Sequence, residues 1–244
     1  MISLLEGNGF FIFAIDSAEL NTDAFSRVIN EIPVIVLNKN KGTAVRQRFS
    51  LAHELGHLIL HRKLSGTDFD IRYDALEDEA NLFAEYFLMP EEGFVNSMIS
   101  PEAPKLEHFI SIKKEWGVSI AAMVNHSNRI GLINERRTEL LLKKMSILGW
   151  RKNEPLDHGD DGLKFETPEK LHNLVSQQIA DIGSFNKFFD IVRLPPDEIE
   201  RLCSLPENYF SGYRDENAEE SGAYIDQAEG RQLELFDGEG ASYA

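Results

Sequence analysis

The stretch "RFSLAHELGHLILHRKL" (residues 48–64) places His53, His57 and His61 at four-residue intervals in a largely apolar run. Side chains four apart stack on one face of a helix, so a helix here carries three imidazoles in line. Thr43 stands where an N-cap belongs, after the turn "NKNKGT" (38–43), and no proline follows as far as His61. Val45, Phe49, Ala52 and Gly56 share a face, and Leu51, Leu55, Leu58 and Ile59 widen it. A helix apolar over so much of its surface is expected to be central to the fold.

"HELGH" (53–57) has the H-E-x-x-H spacing, which brings two imidazoles within reach of one ion. Imidazole nitrogen suits zinc, and a catalytic zinc takes three protein ligands and leaves a place for water. Glu54, next around the helix, is placed to act as the general base without ligating the metal. Gly56 costs about 1 kcal/mol relative to alanine in a helix interior, which calls for a packing reason. His61 continues the series, but the outer histidines would lie roughly 12 Å apart along the axis. It is therefore expected to hydrogen-bond or to close the helix. Leu60 and Lys63 stand where a metzincin would have glycine and histidine, which excludes that class.

The acidic cluster "EDEAN" (77–81) is the expected source of the third ligand. Glu77 and Asn81 are four apart, which suggests Glu77 as ligand and Asn81 as a hydrogen-bond partner of His53 or His57. Glu79 is the alternative ligand.

Elsewhere, "FFIFAI" (10–15), "AFSRVI" (24–29) and "PVIVLN" (33–38) read as strands. A loop at 63–73 leads to a helix at 73–90, ended by Pro90. Further helices are expected at 91–99, 105–116, 119–130, 135–148, 168–182 and 195–205. Strands first and helices after them give an α+β class: a zincin-like core with a small antiparallel sheet, an HExxH helix and a second ligand-bearing helix, then a mostly helical extension. The expected domains are a core at 1–100, a helical hairpin at 101–150, a mostly helical region at 151–214 and an acidic tail at 215–244.

The single cysteine, Cys203, excludes an internal disulfide framework and fits a reducing compartment. No apolar run is long enough to span a bilayer and no secretory leader is evident, so a cytoplasmic location is expected. The formal charge is −16, with nine acids and one base in residues 215–244, a composition that suits a solvated tail. Such a charge argues against nucleic-acid binding by the whole chain.

Taken together, "DAFS", "PVIVLN", "RQRFSLAHELGHLILH" and "EDEANLFAEYFLMP" resemble the ImmA/IrrE family of zinc metallopeptidases. "WGVSIAAMVNHSNRIGLI" (116–133) and "GWRKNEP" (149–155) extend the resemblance over about the first 155 residues. It implies a gluzincin-like fold in which Glu77 completes the site with His53 and His57, and in which Glu54 is the base. It also implies a repressor of the XRE helix-turn-helix type as substrate, with relief of repression of a mobile element or a stress response. The N-terminal helix-turn-helix domain of many relatives is expected to be absent, because Met1 stands just before the peptidase motifs. Tyr73, Tyr86, His61 and His126 are candidates for a second oxyanion donor. A substrate strand adding near "DAFSRVI" would lie across the helix.

Three other readings follow from the residues. Residues 105–133 outline a helix-turn-helix in which Asn125, Asn128 and Arg129 could face bases, although few basic residues flank them and an ordinary αα-hairpin has the same outline. "QLELF", Gln232 to Phe236, resembles the peptide by which bacterial replication proteins dock on the sliding clamp. The competing function is a zinc-binding regulator that sequesters a repressor without cutting it, against which the intact Glu54 speaks.

Overall fold

The computed structural model describes residues 1–16, 21–39, 42–64, 66–98 and 104–211, with 66–70 described by main chain alone. The expected acidic tail and its Gln232–Phe236 peptide lie outside these residues. The chain divides into a unit of Met1–Thr167 and one that begins at Pro168. Among the described residues, no helix is long and apolar enough to cross a membrane.

A short helix, α1 (Ile2–Gly7), precedes the strands β1 (Phe11–Ile15), β2 (Ala24–Ile29) and β3 (Ile32–Asn38). Six residues are too few for a helical period to show, so the segment gives little sign of helix in the sequence. Its buried Ile2 and Leu5 nonetheless pack with Ile12, Ala14, Ile35 and Leu37 of the sheet. The fold is α+β, but the sheet is mixed rather than antiparallel, in the order β1-β3-β2. β2 and β3 form an antiparallel hairpin over a turn at Asn30 and Glu31, both at positive φ, as a two-residue connection requires. β1 then pairs parallel to the far side of β3, from Phe11↔Val34 to Ile15↔Asn38. The strand richest in β-branched residues takes the centre, with Ile35 and Leu37 buried. β2, which carries Ser26 and Arg27, takes an edge, where polar side chains are tolerated.

Helix α2 (Ala44–Gly56) starts at Thr43, whose hydroxyl accepts from the Arg46 N–H at 3.3 Å, and continues into a π-helical turn, His57–His61. Leu51 and Leu55 face the sheet, and Ala52 and Gly56 face away from it. Helix α3 (Gly66–Leu88) starts well before residue 73, because nothing after Gly66 breaks a helix until Pro90. A Cβ on Gly56 would come within 3.1 Å of Phe83 and 3.3 Å of the Ala80 main chain. Glycine and alanine thus let α2 and α3 approach closely, and this contact sets the segments that carry His53, His57 and Glu77 side by side.

Beyond them, α4 (Glu91–Met98), α5 (Leu106–Trp116), α6 (Ile120–Arg129) and α7 (Glu135–Ile147) share a core with α3 that includes Phe94, Phe109, Met123 and Met145. The hairpin α5–α6 turns at Gly117, at φ 64°, with Ser119 as the next N-cap. Residues 149–167, expected from 151 on to be mostly helical, are turns and irregular chain that hold α5 and α6. Lys113, wholly buried, is held by Glu154 at 2.8 Å and by Asp157 at 2.6 Å. Glu154 also accepts the N–H groups of Ile120 and Ala121, satisfying the start of α6. The second unit contains α8 (Lys170–Ile182), α9 (Phe185–Val192) and α10 (Pro196–Leu202) around its own core of Phe188, Phe189, Ile199, Leu205 and Phe210.

Candidate metal centre

The rings of His53, on α2, and of His57, which caps it, lie one turn apart and point their Nε2 atoms at each other, 3.0 Å apart. From α3, Glu77 brings Oε2 to 3.2 Å from His53 Nε2 and Oε1 to 3.1 Å from His57 Nε2. Two imidazole nitrogens and a carboxylate therefore converge on one point. Donors around a tetrahedral zinc, at bond lengths near 2.0–2.2 Å, lie roughly 3.3 Å apart, so the donor set fits a single ion of that kind.

The far sides of the imidazoles are also held. His53 Nδ1 lies 3.0 Å from Asn81 Oδ1, one turn beyond Glu77 on α3. His57 Nδ1 lies 2.9 Å from His61 Nδ1, and His61 Nε2 lies 3.2 Å from Glu79 Oε2. His61 thus stands behind the donors rather than among them. Glu79, the alternative ligand on sequence grounds, directs its carboxylate to His61 and Arg72 instead of to His53 or His57.

Burial first, and then His53 and His61, lowers His57 from 6.5 to about 4. The ring is therefore neutral at neutral pH, and Nε2 can give its lone pair to a cation. Glu54 is buried beside the donors. Burial pushes its carboxyl above the ordinary 4.5, against the lowering effects of the Ser26 hydroxyl and His53, while Glu77 adds to the rise. A carboxylate so placed takes up a proton readily, as a general base must. Ser26 ties the edge strand to the same point, its hydroxyl donating to the Glu54 carbonyl at 3.5 Å. Sequence reading missed this contact, because it depends on β2 lying at the edge beside α2.

The family model for the IrrE N-terminal-like domain, peptidase M78, matches residues 6–127. The chain belongs to this peptidase family. No curated protein matches it. In this M78 peptidase the match spans the sheet, both donor-bearing helices and most of α6. Glu154 and Asp157, which neutralise the buried Lys113, lie beyond it.

The four candidate oxyanion donors separate cleanly. His126 is fully buried, with Nδ1 2.8 Å from Glu85, and Tyr86 sets its ring against that imidazole at 5.2 Å. His61 is engaged with His57 and Glu79. Tyr73 is half-buried on α3 one turn before Glu77, on the same helical face. Burial, then the charges of Glu77, Asp74 and Glu54, raise its phenol above 10.0, so it keeps the proton that a donor needs. In the α5–α6 hairpin, Arg129 bonds Glu85 at 2.9 Å and Asn128 bonds the Ile133 carbonyl at 3.2 Å, while Asn125 is exposed.

Proposed function

We propose that the chain is a zinc-dependent endopeptidase whose substrate is a helix-turn-helix repressor of the XRE type. The observation that carries the reading is the convergence of His53 Nε2, His57 Nε2 and the Glu77 carboxylate beside a buried, proton-accepting Glu54. A site that only bound metal would have no use for that base. When bound, zinc supplies Lewis acidity to the water and to the scissile carbonyl. Glu54 accepts the proton of the attacking water at its carboxylate and returns it to the leaving amine. The Tyr73 phenol donates a hydrogen bond to the developing oxyanion. The outer side of β2 pairs with no other strand among the described residues, so an extended substrate adds there and crosses the site at Ser26. The repressor as substrate, and the relief of repression that follows its cleavage, rest on the family resemblance.

The experiment compares new protein N-termini in host cells that express the wild type or Glu54→Gln. A repressor-derived N-terminus seen only with the wild type is the expected result. Added to the purified Glu54→Gln protein, the same repressor should slow amide exchange in β2. Identical N-termini in both strains, at rest and under DNA damage, would shift the reading to a regulator that binds without cutting.

A further inference from the structure

We propose that His61 and Glu79 are positioning residues that lock the tautomer and ring orientation of His57 for the metal. The inference rests on the metal-binding reading above and adds two residues to it. Among the described residues, the π-helical turn of residues 57–61 is where the helical repeat departs from the ordinary α form, and such turns concentrate at functional sites. Here the turn sets the His57 and His61 rings 5.0 Å apart at 60°, edge to face, with their Nδ1 atoms in hydrogen-bond contact. His61 is buried, while its neighbours Ile59 and Leu60 are exposed. The turn therefore directs a polar ring inward and apolar side chains outward, against the hydrophobic preference, which implies a use for the ring.

The proton count fixes the roles. Two ring nitrogens at 2.9 Å share one proton. His57 gives its Nε2 lone pair to the metal, so its proton resides on Nδ1 and that atom donates. His61 Nδ1 must accept, which places the His61 proton on Nε2, facing Glu79 Oε2 at 3.2 Å. Arg72 approaches the other carboxylate oxygen of Glu79 at 3.3 Å and holds it in place. The two ligand histidines are thus supported differently. His53 rests on a neutral amide oxygen, and His57 rests on an imidazole backed by a carboxylate, which makes its Nε2 the more basic donor.

The test measures zinc affinity by chelator competition, together with histidine tautomers in ¹⁵N-labelled, zinc-loaded wild type. His61→Phe keeps the ring volume and removes the acceptor, and it should weaken zinc binding roughly 10- to 100-fold. Glu79→Gln should weaken it less. His61→Gln, which restores an amide oxygen of the kind that serves His53, should recover most of the loss. In the wild type, His61 should show the Nε2–H form. Wild-type affinity in His61→Phe overturns the proposal, and so does an Nδ1–H tautomer at His61, which reads out even where a variant fails to fold. Zinc binding that is unchanged by His57→Ala would instead remove the metal reading itself.

Discussion

Of the four candidate oxyanion donors, Tyr73 stands one helical turn before Glu77 on the same face and feels the charges of both Glu77 and Glu54. A hydrogen-bond donor aimed at a developing oxyanion is typically worth 10²–10³ in kcat. Tyr73→Phe should therefore lower kcat by roughly 10²-fold on a peptide substrate, with KM and zinc content unchanged. Tyr86→Phe, whose ring faces His126, should leave kcat near wild type. Steady-state kinetics with metal analysis separates these outcomes, and equal activity in Tyr73→Phe would remove the phenol from the mechanism. At this scale the spacings 53/57 and 77/81 were readable because the main chain keeps helical angles across each pair, His57 included at φ −59° and ψ −46°. The role of His61 was only half readable. Four-residue spacing places it behind His57, but the π-helical turn that brings their nitrogens together leaves no mark in the apolar pattern "LIL". Ser26 was hidden for another reason, since its neighbour Glu54 is on a different element.

Between elements, Glu85 ties α3 to α6 by accepting from His126 Nδ1 at 2.8 Å and from Arg129 Nε at 2.9 Å. Burial alone would raise its carboxyl, but the His126 hydrogen bond and the Arg129 charge outweigh it and hold the group below 4.5. A carboxylate depressed in the folded state adds stability in full above its unfolded value, and that stability is lost as pH falls through the folded value. Wild type should therefore exceed Glu85→Gln in urea stability by about 1–3 kcal/mol at pH 7. The difference should shrink below pH 4.5, toward zero once the folded carboxyl is protonated. A difference that stays constant down to the acid limit would assign the effect to packing. Element recognition from sequence follows the same physics. α2 was legible because cap, period and absence of proline agree, whereas the place of β1 beside β3 was not, because strand order depends on pairings between segments distant in sequence.

For the molecule as a whole, the lower limit of an active fragment is set by a charge rather than by a motif. The family match ends at residue 127, inside α6, yet Lys113 on α5 is completely buried and its carboxylates are Glu154 and Asp157. These partners are 41 and 44 residues away in sequence, beyond any local pattern. Glu166 adds a further tie, bonding Arg48 at 2.9 Å and the Ile2 N–H at 2.7 Å. Residues 1–167 retain all these contacts and both hydrophobic clusters around the site, so this fragment should fold and bind one zinc. Residues 1–150 leave Lys113 buried without a counter-charge and the first N–H groups of α6 without acceptors. Losing one side of a buried ion pair costs about 3–5 kcal/mol. That is a large share of the 5–15 kcal/mol typical of a whole domain. The 1–150 fragment should thus be largely unfolded by circular dichroism, and Lys113→Met within it should recover part of the structure, because the methionine fills the space without a charge. A fully folded 1–150 fragment would show that the buried lysine finds water or another acid, and that the clasp formed by residues 151–167 is dispensable.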